Sequence, residues 1–234
     1  MNQLPVSVSL AYYERAECLR QGLDALFRYY GDAPGFEVNL VDDGSVHEPA
    51  RPVVDEYRRL GLNIRDEYLG PPKPLGLTPT VPLSIAVSMA SNDVIVMSNP
   101  EALHPSPILY PMLDDLRAMG EMGVVSAAAF CPSDGRWHNH GKHEAHGFHH
   151  CNMLHRSLFG KVGGICQDYR WMTFAYDDTD FVQRLLAAGA KYKFRDDLVV
   201  EHLRNHRHIN WQYPVDGYRL FDSKWPEATR RFPT

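Results

Sequence analysis

The chain has 234 residues, 44% of them hydrophobic and 23% charged, with a formal net charge of −5. That length suits one large domain with a substantial core, and the acidic balance offers no basic footprint for a nucleic-acid duplex. No apolar run approaches the ~20 residues of a membrane helix, the first ten residues lack a secretory pattern, and the four cysteines form no CxxC pair, so a cytoplasmic protein with free thiols is expected.

The run "VSVSL" (6–10) predicts a first strand. After it, Cys18, Leu19, Leu23, Leu26 and Phe27 recur at helical spacing. "GDAPG" breaks that helix, and "FEVNLV" (36–41) predicts a strand ending in the turn "DDGS". Residues 49–60 predict a helix with Val53, Val54, Tyr57 and Leu60 on one side, and "LNIR" (62–65) a third strand. The Pro- and Gly-rich stretch 70–82 predicts an irregular loop. A short helix (83–90) then leads into the strand "DVIVM", the turn "SNPEALH" (98–104), a helix at 107–119 and the strand "GVVSAAAF". Strand–helix alternation with apolar strands argues for an α/β domain with a mostly parallel central sheet covered on both faces.

The second half is less regular. Residues 131–147 read as a polar loop and "FHHCNMLHRSLF" as a strand running into a short helix. "DDTDFVQRLLAAG" predicts a helix with acids in its first turn, which suits an N-terminus, Gly189 at its stop, and Phe181, Val182, Leu185 and Leu186 on one face. "DLVVEH" is another apolar run ending in an acid and a histidine, and 203–234 shows no period.

Acidic or His-bearing turns therefore follow three apolar runs: "LVDDGS", "VIVMSNPE" and "LVVEH". If the strands are parallel neighbours, Asp42, Asp43, Asn99 and Glu101 share one edge of the sheet. Crowded carboxylates repel, and a divalent cation or a hydrogen-bonding ligand removes that cost. Read alone, "DDGS" is equally an ordinary turn.

Taken together, "VSVSLAYYERAECLRQGLDAL", "VNLVDDGS" and "SMASNDVIVMSNPE" resemble the nucleotide-binding half of family-two-like glycosyltransferases of the GT-A fold. "VGGICQDYRWMTFAYDDTDFVQRLLAAG" resembles the acceptor-side segment of the same enzymes, in their galactosyltransferase branch. The resemblance spans roughly residues 5–202. It implies a single Rossmann-like domain whose part up to about residue 97 binds the nucleotide, with the metal turn and acceptor part at 98–202 and a tail at 203–234. It implies a nucleotide-sugar donor, a UDP-sugar by preference, held by Ala11, Tyr13, Asp42, Asp43 and Asn99. It implies Mn2+ or Mg2+ on Glu101 and His202, and Asp178 beside Asp177 as the base of an inverting reaction. Asp178 is there expected to have an ordinary carboxylate pKa, near 3.9.

The family's Asp-x-Asp is here Asn99-Pro100-Glu101, one carboxylate fewer, and its Arg-Asn before the metal turn is Leu83-Ser84. Arg65, Lys73 or a basic tail residue is the expected substitute for the lost diphosphate contacts. A helix cap remains the structural alternative for Asp177 and Asp178.

Seven histidines lie between 138 and 155. With Cys and Glu they are all zinc ligands, but their spacing matches no metal pattern, and an acceptor loop with incidental histidines is the preferred reading. Of the aromatics near the acceptor side, Trp171 and Tyr176 are the candidate sugar contacts. The acceptor is open among a glycan, a lipid-linked saccharide, a protein and a modified nucleic acid. Two rival functions are a nucleotidyltransferase, which would want a Gly-rich basic phosphate loop that "LAYYERAE" does not supply, and a nucleotide-sugar-binding module that has lost catalysis.

Overall fold

Along β1 (Val6–Tyr12), Val6, Val8 and Leu10 alternate with Ser7, Ser9 and Ala11, and all but Ala11 are buried. A strand buried on both faces belongs inside a covered sheet. In the computed structural model, which describes residues 3–70, 78–141, 150–170, 172, 176–203 and 215–229, the later elements follow in chain order. They are α1 (Ala16–Tyr30), β2 (Glu37–Asp42), α2 (Arg51–Arg59), β3 (Ile64–Tyr68), α3 (Thr80–Ser88), β4 (Val94–Ser98), β5 (Ala102–Leu103), α4 (Leu109–Met119), β6 (Gly123–Cys131), β7 (Arg136–Asn139), β8 (Cys151–His155), α5 (Arg156–Lys161), a 3-10 turn (Gln167–Tyr169), α6 (Asp177–Ala187), β9 (Lys191–His202), α7 (Val215–Lys224) and α8 (Pro226–Thr229).

One sheet takes in all the described strands, in the order β3-β2-β1-β4-β8-β6-β9-β5, with β7 alongside β6. The first four run parallel. β8 lies antiparallel between β4 and β6, β6 and β9 are parallel, and β5 ends the sheet antiparallel to β9. Helices α1, α2 and α4 cover one face through Leu19, Leu23, Val54, Tyr57, Leu109 and Met112. Helices α3, α5 and α6 cover the other through Leu83, Val87, Leu158, Phe181 and Leu185. The mostly parallel, doubly covered sheet expected from the apolar strands is the one observed.

Several local expectations are corrected. Helix α3 begins at Thr80, so 80–82 are not loop; Pro82 sits in the first turn, where a missing N–H costs nothing. Residues 71–77, including Lys73, lie outside the described residues. The polar segment after residue 131 contains β7, a strand too short and mixed to read from its pattern. "DLVVEH" is the end of the twelve-residue β9, whose register against β6 shifts at Ala127/Ala128. Leu60 and Leu186 stand at 55% and 47% exposure, outside the core, because α2 and α6 end beside them. The tail carries two helices, tied down where Trp225 Nε1 donates to Asp180 at 2.9 Å and Lys224 pairs with Asp168 at 3.0 Å.

At the amino-terminal edge of β2, the buried carboxylate of Glu37 accepts from Ser7 Oγ (2.6 Å), Ser91 N (2.7 Å) and Ser91 Oγ (2.6 Å), and pairs with Arg65 (2.9 Å). It thereby joins β1, β2, β3 and the turn into β4. Burial works against its ionisation, but these donors win and hold it below the ordinary carboxylate range. Glu37→Ala strands buried donors at about 1–3 kcal/mol each, so the expected loss is roughly 3 kcal/mol, read as a lower urea midpoint at an unchanged slope.

Candidate active site

The carboxyl ends of parallel strands, where a sheet's order reverses, form a crevice suited to ligands. Here β1 ends between β2 and β4, with Tyr12 opposite Asp42 and Leu10 opposite Ser98. The loop after β2 is tightly built. Asp42 is buried; its Oδ1 accepts from Ser45 N and its Oδ2 from Ala50 N, each at 2.9 Å. Glu14, the one non-glycine with positive φ (47°) among the described residues, turns its carboxylate onto the N–H groups of Val46 (2.6 Å), His47 and Glu48 (2.6 Å). Burial opposes ionisation of Glu14, but these N–H donors keep it below its ordinary value. Asp42 therefore serves its own loop, and Asp43, whose N–H donates to Tyr12 O at 2.8 Å, is carried to the end of the strand beside Tyr13. Ala11 packs against the core cluster under α3.

The turn "SNPEALH" is pinned along its length. Ser98 Oγ donates to His150 O at 2.6 Å, Asn99 Nδ2 lies 3.5 Å from His150 Nδ1, and Ala102 N donates to Asn99 O at 3.0 Å. Gly22 of α1 lets the Pro100 carbonyl pack against the helix; a Cβ there would lie 2.8 Å from that oxygen. His104 is buried, 3.2 Å from the Tyr30 hydroxyl, and burial pulls its pKa down to about 4, so it stays neutral and structural.

Glu101 and His202, 101 residues apart, stand together. The pairing of Ala102 with His202 sets Glu101 Oε1 3.8 Å from His202 Nε2. The same oxygen accepts from Arg15 Nη1, while Oε2 is buried with no hydrogen-bond partner among the described residues. Burial disfavours the Glu101 charge, but Arg15 and His202 override it and hold the carboxyl well below the usual range. Arg15, from the β1–α1 loop, carried no recognisable signal beyond one basic residue in "YYERAE".

More histidines gather here than an incidental loop requires. One ligand atom each from Cys131, His138 and His202 lies within 4.8 Å of the others. The His150 ring flanks them, its centroid 4.8 Å from that of His202 and 5.7 Å from that of His138. His140 instead faces Asp196 at 3.5 Å and packs on Trp137. A divalent cation fits this corner by its donors: a buried carboxylate oxygen, imidazoles and a thiol.

Asp177 and Asp178 open α6. Asp178 Oδ1 accepts from Thr179 N at 2.7 Å. Burial pushes its pKa up to about 6, well above the expected ordinary value, despite the Thr179 N–H that opposes the shift. Asp177 is raised well above the ordinary carboxylate range too, by burial and then by the charge of Asp178. Tyr176 stacks on Phe221 (centroids 5.3 Å) and meets Tyr218 edge-on, so α7 covers it. Trp171 lies outside the described residues. Of the expected diphosphate substitutes, Arg65 does not serve, being committed to Glu37 and Met89 O at the far edge, and Lys73 lies outside the described residues. Leu83 and Ser84, which stand where the family has Arg-Asn, are respectively core and a donor to Thr80 O at 2.7 Å.

No family profile and no curated protein matches the chain by sequence. By structure it is similar to the Pyrobaculum calidifontis mannosyltransferase PcManGT, solved in complex with GDP-Man and Mn2+ (TM-score 0.67, 15% identity, 98% of this chain and 65% of that one). It is also similar to S. aureus TarS (TM-score 0.71, 16% identity, 98% of this chain and 40% of that one) and to its 1–349 segment (TM-score 0.67, 14% identity, 87% and 60%). The fold is GT-A. The chain spans less than two thirds of the length of each of these proteins. Within this GT-A fold, no described helix is long and apolar enough to cross a membrane.

The close approach at Gly22 gives a test of how the turn is held. Gly22→Ala gains up to about 1 kcal/mol of helix propensity, but its methyl meets a backbone carbonyl that cannot swing away, an overpacking cost of roughly 1–3 kcal/mol. A net fall in melting temperature is the expected result in thermal denaturation.

Proposed function

We propose that the chain is a glycosyltransferase that moves a sugar from a nucleotide-sugar, UDP-linked, to an acceptor hydroxyl with inversion at the anomeric carbon. The observation that carries the reading is the convergence of Glu101, His202 and Arg15 at the carboxyl end of the GT-A sheet, beyond the strands that end at Asp42 and Ser98, just before Asp43 and Asn99. The mannosyltransferase of similar fold was solved with GDP-Man and Mn2+, the class of donor and ion this reading requires.

In this reading residues up to about 97 hold the nucleotide, with Asp43 accepting from the base and Ala11 and Tyr13 bordering it. A divalent ion at Glu101 and His202, Mn2+ or Mg2+ by the resemblance, supplies Lewis-acid stabilisation of the departing diphosphate when bound. Arg15 adds a fixed positive charge beside the same oxygens, and Asn99 donates where the family's first aspartate would sit. On the acceptor side, Trp171 and Tyr176 orient the incoming molecule. Asp178 takes the hydroxyl proton as the oxygen attacks, its proton affinity raised by burial, with Asp177 beside it at the start of α6. General-base help of this kind contributes roughly 10²–10⁴ in rate.

A nucleotide-sugar-binding module is the reading that Asn99 and the Arg15-held Glu101 favour, since both weaken an oxygen-rich ion site. Hydrolysis of the right donor by the pure protein excludes it; binding with no turnover on any acceptor would establish it.

Two measurements test the proposal. In a thermal-shift panel of UDP-, GDP-, CDP- and dTDP-sugars, each with Mn2+ and with EDTA, the true donor at 100 times its Kd adds about 2.7 kcal/mol, a rise of roughly 5–10 °C for a chain of this size. Equal small shifts for all four would count against a nucleotide-sugar site. Second, Asp178 accepts a proton only when ionised, so kcat/KM should climb with pH and level off above about 6. Asp178→Asn should lose that limb and roughly 10²–10⁴ of turnover while keeping the donor shift. Because folding raises the Asp178 pKa, its proton is held more tightly in the folded chain, and this contribution to stability fades as pH rises from about 4 through about 6. The asparagine variant should therefore gain melting temperature over wild type at pH 8 and not at pH 4.

A further inference from the structure

The ligand atoms around His202 are not those of an oxygen-rich ion site. Mg2+ demands oxygen in near-octahedral array, whereas a thiol with imidazoles selects the zinc end of the divalent series. Among the described residues the carboxylate at this corner, Glu101, already has its charge matched by Arg15. Beside His202 lie a fully buried thiol, Cys131, and the imidazole of His138.

The placement follows from the sheet. Phe130 is in parallel register with Glu201, so the next residues, Cys131 and His202, end their strands side by side. β7 folds back on β6 with Cys131 opposite Arg136, which brings His138 over the same end. The three residues come from three strands whose backbones the ladder fixes, so the set is held in place by the fold. Donor atoms of a tetrahedral zinc with two nitrogens and one sulfur stand roughly 3.3–3.8 Å apart. The separations here, at most 4.8 Å, close to that range by small side-chain rotations. Cys131 Sγ also lies 3.1 Å from Ser133 Oγ, whereas Cys151, likewise fully buried, meets Met112 Sδ at 4.0 Å among its described hydrogen bonds.

We propose that Cys131, His138 and His202 bind a zinc-class divalent ion, with Glu101 and Arg15 as an outer charge pair beside His202. This rests on the part of the proposed function that places a cation at this corner, and changes its ligands and its chemical class; it does not depend on sugar transfer. Three protein ligands are the number found in zinc sites that keep a fourth position for an exchangeable oxygen ligand.

The test uses the full chain, stripped with chelator and reloaded. Zinc analysis should give one ion per chain, and Co2+ loading should give a near-ultraviolet thiolate-to-cobalt charge-transfer band. Cys131→Ser should abolish that band, and His138→Gln, at a partly exposed position, should weaken Zn2+ by roughly tenfold or more in competition with a chromophoric chelator; circular dichroism checks that both variants fold. A charge-transfer band that survives Cys131→Ser overturns the assignment. So does Mn2+ binding as tightly as Zn2+ with only Glu101→Gln weakening it, an outcome that would leave the cation of the proposed function standing on oxygen. No bound divalent ion at all would overturn both the assignment and that cation, and the donor shifts measured in EDTA would then decide the transferase reading separately.

Discussion

Two residue pairs at the edge of the sheet, Ala102 with His202 and Leu103 with Glu201, hold the candidate site together. The strand β5 is only two residues long, but the backbone bond from Leu203 N to Glu101 O (2.8 Å) extends the pairing by one step. Without it the turn after β4 would have no tie to the last strand, and a carboxylate and an imidazole 101 positions apart would not share a corner. A two-residue ladder is weak alone. It persists because the turn is gripped from its other sides, by Pro100 against Gly22, His104 against Tyr30, and Ser98 on the carbonyl of His150.

The two ends of the parallel strands are treated differently. At the amino-terminal edge, Glu37 spends its carboxylate on Ser7, Ser91 and Arg65, so charge there is converted into structure. At the carboxyl edge, Asp42 and Glu14 do similar work for the loop after β2, and that work keeps Asp43 and Tyr13 at the mouth of the crevice. Of the adjacent acids in "DDGS", Asp42 builds the loop, and Asp43, also buried, follows the strand end with its N–H on Tyr12 O.

What could be read from the sequence was whatever depends on local order. A β-rich run marked β1, alternation β2 and a continuous apolar run β4, and acids or histidines directly after apolar runs marked strand ends. Glu101 and His202 were named on that basis, with the family resemblance. The Cys131–His138–His202 group could not be read this way, because its members come from three strands and their spacing reflects sheet register, not a local motif. Arg15 was missed because a single basic residue in a loop has no signature until its partner is placed. Strand β7 was missed because four residues are too few to show a period.

The raised pKa of Asp178 was equally invisible, and it shows which of two opposed effects prevails at the start of α6. A helix N-terminus favours negative charge by about 0.3–1 kcal/mol, which is less than one pKa unit, since a unit is about 1.36 kcal/mol. Removal of the carboxylate from water acts the other way and can amount to several units. Three acids in the first turn would look well placed on sequence alone, but with Asp177 and Asp180 buried and α7 closing over Tyr176, dehydration dominates and Asp178 settles at about 6. A proton acceptor is most effective when its pKa lies near the working pH. The packing that makes this turn costly to ionise thus brings Asp178 closer to that optimum than an exposed aspartate would be.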